Sequence, residues 1–389
     1  MICFYFQVHQ PIRLKRTRSW DRAADTYGHF DMDKNKEIFD RVSDKCYFPT
    51  TSLIQDLMDE HKEFKVSFSF SGIWIEQCKL FRPELLDLFK DLCKRKEVEL
   101  LGETYYHSLS GLYDEQDEFA EQIELHRKTI SEVFGRSPEV FRNTELIYDN
   151  RLVRTVKEKG FKGILTEGTE RILGWRSPNY LYKPFHLDGI SVLLKNYKLS
   201  DDVAFRFSNW EWGEYPLTAD KYVDWLSKAP GDCVNLFMDY ETFGEHQWKE
   251  TGIFEFLKRL PGYALEKNLS FSTPSELVEN FEPVGTIDVP LAISWADIER
   301  DVSAWLDNEM QQECFNEIRD LKRKVKEKGD DDLIHFWRLL QTSDHFYYMS
   351  TKWYEGDQDI HTYFNPYRSP YMGFINYVNA LADLKSKLN

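Results

Sequence analysis

The chain has 389 residues, which is enough to bury the core of one barrel-sized domain together with an appendage. It carries 50 Lys and Arg residues against 66 Asp and Glu residues, so its formal net charge is -16. A field of this sign repels phosphate backbones and anionic lipid, so we expect no nucleic-acid partner and no membrane partner, and a neutral substrate fits better.

The first element is an apolar run from Ile2 that ends in polar side chains and is stopped by Pro11, which predicts a β-strand. His9 lies at the carboxyl end of this strand. An isolated histidine is more often a core residue, but this position is also where a barrel places site residues. Residues 12 to 48 are long, charged and aromatic, and we interpret them as a lid inserted over the barrel mouth.

A rhythm of strand, polar tip and helix then repeats along the chain. Residues 64–70 alternate as a strand, and residues 72–76 are interpreted as a further strand end that carries Glu76. No GxGxxG turn is present, so the rhythm favours βα units in a parallel barrel over an open dinucleotide-binding sheet. A further predicted strand and its loop span 98–108, two more strands span 138–146 and 163–168, and predicted helices span 82–95, 114–134 and 149–159.

The middle of the chain is less regular. Residues 183–197 are predicted to form a β-hairpin. Residues 200–215 place Trp210 and Trp212 beside glutamates, which indicates either a sugar-stacking platform or a structural aromatic cluster. A helix over 253–267 and a strand over 269–272 complete the periodic part.

Residues 233–246 form an apolar run of strand length that ends in acids and a histidine. Such a run suits a strand buried on both faces of a parallel sheet, whose carboxyl end is where α/β barrels place chemistry. Asp239 is therefore a candidate catalytic group, with helix capping as the alternative. Because Glu241 and Glu245 lie close by in sequence, we expect mutual repulsion to raise a carboxyl pKa here.

From about residue 290 the strands vanish, and helices are predicted over 296–326, 330–350 and 368–387. We therefore divide the chain into a catalytic barrel, residues 1–285, and a helical subdomain, residues 286–389. The six cysteines are scattered without a CxxC pair, as reduced thiols are. With no leader-like start and no apolar segment long enough to span a bilayer, a cytoplasmic location is expected.

Five motifs, in chain order, resemble those of glycoside hydrolase family 57, which contains α-amylases, 4-α-glucanotransferases, amylopullulanases and branching enzymes. One departure is Gln7, which stands where the family often has the first histidine of a His-x-His-Gln-Pro motif. A second departure is that the β-rich C-terminal domain of the larger glucanotransferases has no counterpart. The five motifs are His9-Gln10-Pro11, Gly72 to Glu76, the strand end around Glu145, Asp239 to Gly244, and Thr342 to Phe346.

The resemblance implies an α/β fold, a distorted (β/α)7 barrel with a C-terminal helical subdomain, that acts on α-1,4-glucans or maltooligosaccharides with retention of configuration. By motif position Glu145 is similar to the family nucleophile and Asp239 to its general acid/base. No cofactor and no metal are expected. The residues expected to bind substrate are His9, Glu76, Trp210, Trp212, Glu241, His246 and Asp344.

A retaining glycosidase needs one ionised and one protonated carboxyl group, about 5 to 5.5 Å apart. Two other classes stay open: a metal-dependent barrel hydrolase that uses His9, although the usual His-x-Asp pair is missing from strand one, and a non-catalytic glucan-binding protein. Within the enzyme class, the sequence leaves open whether water or a sugar hydroxyl resolves the covalent intermediate. It also leaves the oligomeric state open.

Overall fold

Seven buried strands follow one another around a ring in the computed structural model, which describes residues 1–352 and 365–388. Two further short strands pair with each other beside the ring. In chain order the strands are β1 (Ile2–Val8), β2 (Val66–Phe70), β3 (Val98–Leu100), β4 (Val140–Arg142), β5 (Gly163–Glu167), β6 (Lys183–Pro184), β7 (Ser191–Lys195), β8 (Val234–Asp239) and β9 (Thr286–Ile287).

The ring consists of two parallel sheets, β3-β2-β1-β8 and β4-β5-β7. At one joint, a single parallel bridge links Gly102, after β3, to Phe141 of β4. At the other joint, the side-chain amide of Asn235 in β8 donates to the Leu194 carbonyl of β7 at 2.9 Å. The ladder is therefore interrupted twice, and the fold is the incomplete α/β barrel with C-terminal helices that the sequence predicted.

Helices cover the outside of the ring because each carries a buried apolar stripe. Gly135 ends one of them at φ 71°, the left-handed conformation that glycine adopts without strain. The helices are α1 (Met32–Val42), which continues into a π-helical turn (Ser43–Tyr47), α2 (Phe48–Glu60), α3 (Gly72–Phe81), α4 (Pro83–Cys93), α5 (Asp117–Phe134), α6 (Leu152–Glu158), α7 (Glu170–Leu173), α8 (Tyr197–Ala204), α9 (Ala219–Lys228), α10 (Ile253–Glu266) and α11 (Pro274–Asn280).

The C-terminal helices share one hydrophobic core with the segments that follow the barrel strands. Ile12, Ile73, Tyr105 and Ile147 are buried in the same cluster as the apolar faces of these helices. The helical region is thereby held over the carboxyl ends of the strands. Its elements are α12 (Ser303–Leu306), α13 (Glu309–Asp320), α14 (Lys322–Lys328), α15 (Asp331–Leu339), α16 (Ser343–Tyr347) and α17 (Pro370–Leu388).

Four sequence-based expectations about local structure were wrong. Residues 72–76 begin helix α3 instead of ending a strand, because Ser71 caps the helix by accepting from the Trp74 amide at 3.3 Å. In place of the hairpin, β7 runs parallel to β5, and one antiparallel bridge joins Tyr182 to Val192.

The other two differences concern lengths. The predicted strand over 269–272 supplies only a bridge from Phe271 to Ile2, and the helical region begins at α12 instead of residue 296. The predicted lid, residues 12–48, is partly helical, since α1 and the turn after it lie within it.

The division at residue 285 stays a prediction, and residues 353–364 and 389 of the predicted subdomain lie outside the described residues. No helix within the described ranges is both long and apolar enough to cross a lipid bilayer.

Candidate active site

A cavity of about 430 Å³ opens at the carboxyl ends of the barrel strands, beneath the C-terminal helices. Glu145 and Asp239, which come from different strand ends, both line it. The two predicted catalytic residues therefore share one compartment, as the chemistry requires. Other polar residues that line the cavity are Gln7, His9, Gln10, Arg13, His107, Lys195, Asp201, Arg206, Glu241, Thr242, His246, Asp297, Arg300 and Asp344.

Glu145 is held by donors on both carboxylate oxygens. Oε1 accepts from Ser343 Oγ at 3.0 Å and lies 3.4 Å from His107 Nε2, while Oε2 accepts from Trp295 Nε1 at 2.7 Å. The backbone of Glu145 is left-handed at φ 57°, an uncommon conformation that turns the side chain off β4 into the cavity. Burial alone would raise the pKa of Glu145, but the hydrogen bond and charge of His107 lower it below its usual value.

Asp239 ends β8, where it pairs with Gln7 of β1. Burial, followed by the negative charge of Glu145, raises the pKa of Asp239 to about 6. The two acids therefore have opposite shifts, which favour an ionised Glu145 beside an Asp239 that retains its proton in mildly acidic solution. This is the division of labour that a nucleophile and a general acid require.

His9 and Asp344 join the barrel to the helical region at the cavity. His9 Nε2 lies 3.0 Å from Asp344 Oδ2, and His9 Nδ1 lies 2.7 Å from Ser71 Oγ. Although burial would raise the pKa of Asp344, its hydrogen bond with His9 and the charge of His107 lower it. Asp344 thus reaches the site from α16, as the resemblance implied.

Glu241 and His246 also line the cavity, as predicted. Burial, reinforced by the charge of Asp239, raises the pKa of Glu241 to about 8, and Tyr47 donates its hydroxyl to Glu241 Oε1. Burial lowers the pKa of His246 to about 4, so its ring is neutral around pH 7.

The other three predicted substrate-binding residues do not line this cavity. Glu76 accepts hydrogen bonds from Tyr105 at 2.7 Å and from Tyr27 at 3.2 Å, at the boundary between barrel and helices. Trp210 is 76% exposed on the surface, and Trp212 packs edge-to-face on Trp225. Binding of sugar by Glu76, Trp210 and Trp212 stays a prediction.

Several site residues escaped the sequence-based analysis. Trp295 lies just before the first predicted C-terminal helix, Ser343 lies within the fifth family motif but was given no role, and Lys195 ends a strand that was predicted to be part of a hairpin. Lys195 and Arg300 form a buried ion network with Asp201 and Glu167 beside Trp295. Glu103 and His107 were also not predicted as site residues. The signal that could have marked them is the polar stretch from Glu103 to His107, which follows the buried strand β3.

Among residues 1–352 and 365–388, no group of three or more His, Cys, Asp or Glu side chains is arranged to hold a metal ion. The arrangement around Glu145 and Asp239 instead provides paired carboxyl chemistry.

Comparison with known proteins supports the same interpretation. The sequence profile of glycosyl hydrolase family 57 matches residues 3–290. A protein of Methanocaldococcus jannaschii named "Putative alpha-amylase" is 48% identical over 99% of this chain and 84% of its own length. An alpha-amylase of Pyrococcus furiosus is 26% identical over 66% of this chain, which spans 38% of that protein. A 4-alpha-glucanotransferase of Thermococcus litoralis is 23% identical over 75% of this chain and 42% of its own length.

Solved structures share the fold. The branching enzyme of Pyrococcus horikoshii, described as GH57-type, superposes with a TM-score of 0.69 at 15% identity, covering 92% of this chain and 87% of that chain. The alpha-amylase AmyC from Thermotoga maritima gives a TM-score of 0.61 at 14% identity over 100% and 94% of the two chains. The profile match and the 48% identical relative together establish that the chain belongs to glycosyl hydrolase family 57.

Proposed function

We propose that this enzyme is a retaining glycoside hydrolase that acts on α-1,4-glucans or maltooligosaccharides. The observation that supports this most strongly is the pairing of Glu145 and Asp239 in one cavity with opposite pKa shifts. Membership of the family and the names of the similar proteins support the α-glucan as substrate.

In this mechanism the ionised Glu145 attacks the anomeric carbon while Asp239 gives its proton to the departing glycosidic oxygen. A covalent bond forms between a Glu145 oxygen and the sugar, and the bond to the leaving sugar breaks. Asp239, now ionised, removes a proton from water, which attacks the anomeric carbon and releases Glu145. Two inversions at the same carbon give net retention.

The remaining lining residues suit a neutral sugar. His9, Asp344 and Glu241 offer donors and acceptors at the cavity wall, and Trp295 offers an aromatic ring. Sugar hydroxyls need such polar partners, while the C–H faces of the ring stack on aromatic surfaces.

Transglycosylation on the same substrate is the second candidate, because two similar proteins are 4-alpha-glucanotransferases of Thermococcus species. In that case a sugar hydroxyl replaces water in the second step. Incubation with maltoheptaose and analysis of chain lengths separates the two: only shorter products indicate a hydrolase, and longer ones indicate a transferase.

A cytoplasmic location is part of the proposal. It is supported by the six cysteines, all of which are buried free thiols.

The catalytic assignment is tested with Glu145→Ala and Asp239→Ala. We expect each to lower turnover of maltoheptaose by about three orders of magnitude or more. Added azide should restore turnover of an activated aryl glycoside in both variants. The glycosyl azide formed by Glu145→Ala should have inverted anomeric configuration, and the one formed by Asp239→Ala should have retained configuration. Glu139→Gln and Asp232→Asn, at the opposite ends of the same strands, serve as matched controls and should keep wild-type turnover. Wild-type rates in either alanine variant would contradict the assignment.

A further inference from the structure

His107 lies between two carboxylates. Its Nδ1 is 3.1 Å from Glu103 Oε2, and its Nε2 is 3.4 Å from Glu145 Oε1. His107 and Glu103 are both buried, with 2% and 0% of their surface exposed. An ionised carboxylate only accepts hydrogen bonds, so a ring that bridges two of them carries a proton on each nitrogen.

Glu103 does not line the cavity, but a set of oriented groups supports its negative charge. Gln7 Nε2 lies 3.5 Å from both Glu103 oxygens. The side-chain oxygen Oε1 of Gln7 accepts from the Tyr5 hydroxyl at 2.8 Å and from Ser69 Oγ at 3.1 Å. These two hydrogen bonds fix the side-chain amide with its NH₂ group toward Glu103. Gln7, where the family often has a histidine, therefore serves as a support for Glu103 in this chain.

We propose that Glu103 and His107 form a positioning pair for Glu145: Glu103 keeps both ring nitrogens of His107 protonated, and His107 in turn orients Oε1 of Glu145 and stabilises its ionised form. The pair performs no bond-making step itself. This inference rests on the proposed role of Glu145 as nucleophile.

The neighbouring His9 shows which of two rings carries the charge. The rings of His9 and His107 stack with centroids 3.9 Å apart and an interplanar angle of 21°. Two cations at this distance would repel each other strongly. Burial and then the charge of His107 lower the pKa of His9, whereas Glu103 and Glu145 outweigh burial and raise the pKa of His107 to about 9. The positive charge therefore resides on His107.

Other charged groups face this arrangement from several elements. Arg142 ends β4, and its Nη1 lies 4.0 Å from Glu103 Oε2. The charge of Arg142 lowers the pKa of Glu145, but less than His107 does. Asp344 on α16 opposes that effect, while burial lowers the pKa of His126 on α5, whose Nδ1 accepts from the Glu103 amide and therefore carries no proton. His107 is the one among them that contacts both carboxylates, so its removal has the largest expected effect on Glu145.

The kinetic test compares kcat/KM against pH for wild type and His107→Gln, with 2-chloro-4-nitrophenyl α-maltotrioside as substrate. The 2-chloro-4-nitrophenolate leaving group departs with little protonation by Asp239. The acid limb of the pH profile of kcat/KM therefore reports the ionisation of Glu145. Loss of the imidazolium raises the pKa of Glu145, so we expect the limb to move to higher pH by about one unit and the plateau to fall about 10- to 100-fold through misplacement of the nucleophile.

His126→Gln is the matched control. His126 is equally buried and accepts from the Glu103 amide at 3.2 Å, but it donates to the Phe70 carbonyl at 2.9 Å and does not contact Glu145. Its acid limb should stay in place. A limb that is unmoved in His107→Gln, or that moves equally in both variants, overturns the proposal.

Nitrogen NMR of the folded wild-type enzyme tests the protonation state of His107 directly. We expect His107 to carry two protonated nitrogens at pH 7.5, and Glu103→Gln to bring its titration down to near or below pH 7. A neutral His107 in wild type overturns the proposal. A wild type that cleaves no α-glucoside contradicts the proposed function instead, so the two failures are distinguishable.

Discussion

The side chain and the backbone of Trp295 both bind Glu145. The indole Nε1–H donates to Glu145 Oε2 at 2.7 Å, and the amide of Trp295 donates to the Glu145 carbonyl oxygen at 3.2 Å. The segment after β9 is thus tied directly to the candidate nucleophile, 150 residues earlier in the chain. A hydrogen bond to an ionised oxygen stabilises the charged form and fixes its orientation.

Replacing Trp295 with Phe keeps an aromatic ring and removes the N–H donor. A hydrogen bond to a charged group contributes about 1.5 to 3 kcal/mol, so we expect kcat on maltoheptaose to fall about 10- to 100-fold. Trp337→Phe is the control, because it loses an indole hydrogen bond of 2.8 Å to the Ile318 carbonyl away from the cavity. That control should lose stability and keep kcat, and an equal loss of kcat in both variants would contradict the prediction.

The fold was largely predictable from the sequence because the strands of this barrel are buried on both faces. In β8, Val234–Asp239, five of six residues are buried. Such an apolar run with an abrupt polar end can be recognised as a strand without knowing which strands lie beside it. Helix α3 was missed because Gly72 to Ile75 is also an apolar run, and periodicity cannot separate a short buried helix from a strand. The deciding feature was the capping residue Ser71.

Local residue patterns predicted candidate site residues only at strand ends, where one stretch of chain supplied them. Asp239, Glu241 and His246 lie on a single strand end, and all three line the cavity. Trp295 and Ser343 reach Glu145 from segments 150 and 198 residues away, and no local pattern marks such convergence. The family motifs bridged that gap for Glu145 and Asp344, and Ser343 lies within one of them, but no motif includes Trp295.

Arg142 is a fully buried guanidinium whose charge acts on both candidate catalytic carboxyl groups, those of Glu145 and Asp239. None of its side-chain nitrogens has a hydrogen-bond partner among the described residues, and its guanidinium lies 4.7 Å from the centre of the Trp295 ring. Its positive charge lowers the pKa of Glu145, although less than His107 does. It also lowers the pKa of Asp239, which burial and the charge of Glu145 raise.

Arg142→Met should therefore raise both of these pKa values. In the proposed mechanism Glu145 must be ionised and Asp239 must be protonated, so both limbs of the pH profile of kcat/KM on maltoheptaose should move to higher pH. Arg142→Lys keeps the charge and should leave the limbs near their wild-type positions. The side chain of Arg142 makes no hydrogen bond within the described residues that would repay the cost of burying its charge, and its ion pair with Glu103 is long at 4.0 Å, so the free energy of unfolding of Arg142→Met should change by no more than about 1 to 2 kcal/mol. Limbs that stay in place would contradict the electrostatic role.

Gly244 allows the segment after β8 to turn close to the π-helical turn. Its φ is 113°, and a Cβ at this position would lie 2.0 Å from the Lys45 carbonyl oxygen, which is backbone and cannot rotate away. Gly244→Ala should lower the free energy of unfolding, measured in urea, by about 2 to 4 kcal/mol. Gly213→Ala is the matched control, because a Cβ there has no atom within 4 Å. Equal stabilities of the two variants would contradict the prediction.

Asp383 on α17 holds the first part of the predicted lid. Its Oδ2 lies 2.8 Å from His29 Nε2 and accepts from the Ala23 amide at 3.1 Å, and Lys387 Nζ lies 3.2 Å away. The side chain is fully buried. Although burial would raise the pKa of Asp383, the hydrogen bond with His29 lowers it, so the ionised form is stabilised in the folded protein.

Asp383→Asn keeps the shape and removes this charge. A lowered pKa contributes stability above the pKa of the unfolded chain, about 3.9, and loses it as the pH falls through the folded value. Wild type should therefore exceed the variant in free energy of unfolding by about 3 to 5 kcal/mol at pH 7, with a difference that shrinks below about pH 4. Urea unfolding across pH measures it, and limited proteolysis should cut residues 12–31 faster in the variant. Asp320→Asn, at an exposed site, should change neither readout, and a wild-type advantage that grows in acid would exclude the charge as its source.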